Sequence, residues 1–196
     1  KMSSEIYKKI GTNSIYNLIR RLIAFPIGLV LPPVTIKYIG IEGYGIWVLV
    51  QTIITYTSIM DIGLSPAITK YTAEYEARED RLKTIRLFNT LFVIYVFLCC
   101  ILFMVVFLCR GLIIDFFIKP GVIPKETFTF VLVASVLVFC WNMVFTVYSS
   151  FLIGLQRMDI TNKIGSISSI CSCTLSILLL YLGRGIKGLV IAGGMS

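Results

Sequence analysis

Residues 85–108 read IRLFNTLFVIYVFLCCILFMVVFL, and from Leu91 to Leu108 no side chain carries a charge or an amide. A bilayer core of about 30 Å is crossed by roughly 20 apolar residues of helix. This stretch therefore reads as a membrane span, and four others of similar length accompany it. They cover about 12–36, 43–62, 128–152 and 164–182. A sixth apolar run, 188–196, reaches only about 14 Å at the helical rise and is an incomplete span.

The composition agrees. Hydrophobic residues make up 57% of the 196 and charged residues only 14%, against about 45–50% and about 25% in soluble domains. Soluble enzymes, disordered tails and nucleic-acid modules are excluded, so no nucleic-acid partner is expected. With no histidine, the commonest general base and metal ligand is missing. The six cysteines lie in or beside apolar runs without the paired C-x-x-C spacing of a metal site, and read as small packing residues. The carboxylates Asp61, Asp115, Glu126 and Asp159 are scattered, and no Gly-rich phosphate loop is present. The chain is expected to be no enzyme and to need no cofactor or metal.

The first span is no cleavable leader: its apolar core is too long, it holds Arg20 and Arg21, and no small-x-small site follows. Pro26 should kink it, and Pro32–Pro33 should bend or end it. Twelve of the 18 Lys and Arg fall on one side: at the N-terminal end, between Lys70 and Arg86, and at Arg157 and Lys163. The positive-inside rule places that side, and the N terminus, in the cytoplasm. In the 63–84 loop (GLSPAITKYTAEYEAREDRLKT) Ser65 before Pro66 suggests an N-cap, then a cytoplasmic helix with a solvated charged face and a turn near Asp80.

Polar residues inside the spans recur at helical spacing. Asn13, Asn17, Arg20, Ala24 and Gly28 form one stripe on the first span; Gln51, Thr55, Ser58 and Asp61 follow on the second. The fourth carries Ser135, Asn142, Thr146 and Ser149, and the fifth Asn162, Ser166, Ser169, Cys173 and Ser176. Intramembrane charges face a bundle interior or a hydrated cavity, so Arg20 reads as a cationic wall for an anion. Arg21, one position round, reads as a snorkelling side chain. Spans two and four, with their amides, read as cavity-lining, and span five as helix packing through small residues. Several one-faced helices make an all-α, polytopic bundle around a polar space, the architecture of a transporter.

The interspan motifs then suggest a family. Tyr38-Ile39-Gly40, Glu42-Gly43-Tyr44-Gly45-Ile46-Trp47, Asp61-Ile62-Gly63-Leu64, the series Ala67, Tyr71, Ala73, Glu74, the pair Asn89-Thr90 and Gly154-Leu155-Gln156-Arg157 occur in this order at span ends. The succession resembles the N-terminal half of bacterial polysaccharide and O-antigen flippases, of the multidrug/oligosaccharidyl-lipid/polysaccharide exporter superfamily. The resemblance implies two pseudo-symmetric lobes around an alternating-access cavity in the cytoplasmic (inner) membrane. The substrate it implies is an oligosaccharide linked to undecaprenyl diphosphate. Polysaccharide polymerase, glycosyltransferases and membrane lipids would be its further partners. Residues 1–196 would then form one lobe, with five full spans and part of a sixth, and the chain reads as the front part of a longer protein.

On this reading the substrate-binding candidates are Arg20, Asn13, Asn17, Gln51, Thr55 and Asn142: arginine for the diphosphate, amides and hydroxyls for sugar. Asp61 is the candidate for ion coupling, against a structural role beside Lys70 or Arg157. Two other functions compete. A drug or metabolite:cation antiporter of the same superfamily lacks the Tyr-Gly-Ile-Trp and Asp-Ile-Gly-Leu signals. A pathway enzyme such as a polymerase would need a large external loop with clustered charges, and 110–127 is short and has none.

Overall fold

A backbone that leaves water must satisfy its own hydrogen bonds, and a helix does so within one segment. The computed structural model describes residues 2–57, 63–117 and 125–194, with side chains at 15, 18, 21, 22, 24–57, 63–116 and 125–194. Those residues form α1 (Met2–Thr57), α2 (Leu64–Ala77), α3 (Arg81–Phe117), α4 (Lys125–Gly154), α5 (Met158–Tyr181) and α6 (Gly185–Gly193), with no strand among them. The Ala24–Thr57 stretch of α1, and α3, α4 and α5, are long and apolar enough to cross a membrane. The protein is a helical membrane bundle.

The first two apolar stretches both lie in α1, whose helical stretches meet at Gly40 with φ 74° and ψ 170°. That backbone region is nearly closed to residues with a Cβ. Pro26, Pro32 and Pro33, expected to kink or end the first span, keep helical φ/ψ. A membrane helix tolerates proline where neighbouring groups take up the freed carbonyl. None of the three ends the helix, and the non-helical φ/ψ within α1 falls at the glycine.

The start of α2 differs from expectation. Gly63, in the left-handed region (φ 99°, ψ −25°), is the N-cap, so Ser65 lies inside the helix. Its hydroxyl is engaged elsewhere: it accepts from Ser150 Oγ at 3.1 Å and lies 3.4 Å from the Tyr95 hydroxyl. Thr69 Oγ1 donates to the Ser65 carbonyl (3.1 Å) and the Ser150 carbonyl (3.2 Å). Tyr95 is fully buried and lies about 20 Å along α3 from its first residue. One face of α2, Ile68 and Thr72, thus packs into the bundle. Its other face bears the Arg78–Glu74 ion pair (2.7 Å).

The turn expected near Asp80 is present. Asp80 Oδ1 accepts from the Lys83 backbone N–H at 3.1 Å and its other oxygen pairs with Lys83 Nζ at 2.8 Å, capping α3. These bonds hold the Asp80 carboxyl below its ordinary pKa.

Packing centres on α4, which touches every other helix. One core joins Phe128, Val131, Leu132 and Val136 to Val50 of α1, Val106 of α3, Leu180 of α5 and Leu189 of α6. A second joins Met143 and Val147 to Ile68 of α2 and to Tyr95 and Cys99 of α3. Cys99 Sγ donates to the Cys140 carbonyl (3.5 Å) and Cys140 Sγ to the Cys99 carbonyl (3.6 Å), so these two thiols pack α3 against α4. Helices α2 and α4 approach closely at Gly154, where an added Cβ would lie 2.7 Å from Thr72 Cβ and 2.9 Å from the Thr69 carbonyl oxygen. On α5, Ser166, Ser169 and Ser176 donate to their own helix, and Ser172 Oγ reaches the Ala192 carbonyl of α6 at 2.7 Å.

Candidate functional site

A helix that packs on all sides has little room for amides, because a buried polar group without a partner costs free energy. Helix α4 nevertheless carries Ser135 and, two turns on, Asn142, Thr146 and Ser149 on one side, and two cavities open along this series. The smaller, about 260 Å³, lies among α1, α4 and α6, with Trp47, Gln51, Ser135, Asn142 and Val190 in its wall. The larger, about 670 Å³, opens between α4 and α5, where Asn142, Thr146 and Ser149 face Asn162 and Thr161. Asn142 borders both. Among the described residues no charged side chain lines either one.

Ser135 marks the smaller cavity as polar. Its hydroxyl is buried and has no hydrogen-bond partner among the described residues. Gln51 of α1 lies in the same wall, so the second and fourth helical stripes bring their amides to one space. Thr55 does not join them: it is exposed, and its hydroxyl donates to the Gln51 carbonyl at 2.8 Å.

The backbone at Asn13, Asn17 and Arg20 is helical, which makes their common spacing a common face. Their side chains, and all of Asp61, lie outside the described residues. Arg21 is exposed. Asn162, read from the sequence as a packing residue, is buried in the wall of the larger cavity. The sequence reading passed over Trp141, Phe145 and Tyr148, which line that cavity too. Their spacing of four and three residues beside the polar stripe was the available signal.

The sequence profile of a family described as polysaccharide biosynthesis protein matches residues 10–195. The chain belongs to this family. Comparison with curated proteins and with solved structures gives no match. Membership of the polysaccharide biosynthesis protein family agrees with the flippase resemblance read from the interspan motifs. It assigns the chain to polysaccharide synthesis and transport, as a multi-pass membrane protein.

Proposed function

We propose that this polysaccharide biosynthesis protein is a transporter that flips an oligosaccharide linked to undecaprenyl diphosphate across the bacterial cytoplasmic membrane. One observation carries the reading: within the helix that forms the centre of packing, Asn142 borders two cavities whose walls carry amides and hydroxyls and, among the described residues, no charged side chain. A pathway for sugar needs such hydrogen-bonding walls and no bond-breaking group. The amides of Gln51 and Asn142 contact the sugar chain, and the face of α1 bearing Asn13, Asn17 and Arg20 receives the diphosphate. Glycosyltransferases and a polymerase would act before and after it. The N terminus is cytoplasmic on this reading, so the charge-bearing end of α1 meets the substrate where it is made.

Arg20 provides the test. A charge well inside a span costs at least ~2.5 kcal/mol on insertion scales, and a diphosphate offsets this by forked, charge-assisted bonds. In a strain deleted for the gene, Arg20→Ala should abolish polymer export while immunoblots show a normal membrane level. Arg20→Lys should restore only part, since a point charge does not reproduce the fork. Arg21→Ala should export normally. Normal export by Arg20→Ala would remove the arginine from the mechanism, and equal loss in both alanine variants would make the pair structural.

A further inference from the structure

The larger cavity has one wall that hydrogen bonding alone does not explain. Trp141, Phe145 and Tyr148 stand in a row on α4, with ring centroids 4.8 Å apart for the first pair and 5.9 Å for the second. They are 59%, 46% and 44% exposed and line the cavity. From behind, Phe88 and Phe92 of α3 meet Tyr148 edge-on at 5.2 and 6.1 Å, which fixes the end of the row. Beside the rings stands Asn142, and across from them Asn162 of α5.

We propose that this aromatic ridge, with Asn142 and Asn162, is a binding site for neutral sugar residues; the proposal rests on the flippase reading and assigns it the part of the substrate held between α4 and α5. Three ligand chemistries can be compared with the wall. A phosphate would find no cation among the described residues of that wall. A hydrocarbon chain would suit the rings but would leave the two amides and the Ser149 hydroxyl facing oil, which is costly. A pyranose matches both halves. Its ring faces present C–H bonds, slightly positive at hydrogen, to the negative faces of the aromatic rings. Its rim carries hydroxyls that both donate and accept, as an amide does. At about 670 Å³ the space falls within the roughly 300–1,000 Å³ of small-molecule sites.

Trp141 reports on its own site. Residues 1–196 hold two tryptophans, Trp47 and Trp141, so Trp47→Phe, with every tryptophan outside this stretch also replaced by Phe, leaves Trp141 as the emitter. The complete protein in this background, in nanodiscs, is titrated with the neutral repeat-unit oligosaccharide released from the producing strain's polysaccharide, and separately with undecaprenyl diphosphate bearing no sugar. The oligosaccharide should shift or quench Trp141 emission saturably. By calorimetry Trp141→Ala should weaken its binding by about tenfold, and Trp141→Phe, which keeps a ring, by clearly less. Both should bind the bare diphosphate lipid unchanged. Leu137→Ala, exposed on the same helix and outside this cavity, should keep full affinity for both. An unchanged emission, full oligosaccharide affinity in Trp141→Ala, or equal loss in Leu137→Ala would overturn the ridge. The flippase reading fails separately: a gene deletion that still exports polymer would refute it even with sugar bound at Trp141. Conversely, lost export together with full sugar affinity in Trp141→Ala would refute the ridge alone.

Discussion

A single methyl group decides the fit between α2 and α4. On Gly154 it would lie 2.7 Å from Thr72 Cβ and 2.9 Å from the Thr69 carbonyl oxygen, and neither atom is the free end of a flexible chain. Gly154→Ala should therefore destabilise the protein by about 1–3 kcal/mol, the usual cost of overpacking. Gly111→Ala, in α3 with nothing within 4 Å of the new Cβ, should instead gain up to about 1 kcal/mol from helix propensity. Thermal unfolding of the two variants in detergent measures the contrast, and equal midpoints would refute it. The sequence shows Gly154 only as part of the Gly-Leu-Gln-Arg motif. Its neighbour Thr72 is 82 positions away, and nothing local announces that the two meet.

At the scale of the helix, α3 shows how an apolar window and a helix differ in extent. The apolar run was legible because about 20 apolar residues have few alternatives to a span. The helix itself runs from Arg81 to Phe117, longer at both ends, because its first turn is held by polar bonds to Asp80 and needs no lipid. Those bonds depend on pH. A carboxyl whose pKa is lowered by folding stabilises the folded form above its ordinary value, 3.8, and the contribution is lost as the pH falls through the lower, folded value. The first turn of α3 should therefore lose amide-exchange protection on acidification below pH 3.8, at Lys83 and Thr84 first. Asp80→Ala should show that loss already at neutral pH, and equal protection in the variant would remove the cap from the account. Other helix features were hidden in the sequence. Proline is a strong breaker in water, so Pro26 drew attention, whereas the break at Gly40 depends on a backbone geometry that composition does not encode. The serine before Pro66 looked like a cap because its distant partners, Tyr95 and Ser150, are supplied by other helices.

For the molecule as a whole, the polar stripes were readable one helix at a time, but their meeting was not. Gln51 and Asn142 share a wall because α1 and α4 pack beside α6, and Asn162 turns from packing residue to cavity wall because α5 leaves space beside α4. The aromatic row was missed because in an apolar helix three rings look like three more core residues until their exposure is known. The charge distribution supports a further expectation at this scale. In a cysteine-free version carrying Arg78→Cys, an impermeant maleimide should fail to label intact cells and should label inverted vesicles; labelling from outside would reverse the topology. The contact between α2 and α4 also bounds how this sequence can drift. A clash with the Thr72 side chain could be answered by a second substitution that shortens it. The carbonyl of Thr69 belongs to the main chain and is common to all twenty amino acids, so no exchange at that position removes it. Any descendant that holds these two helices at this distance inherits glycine at 154.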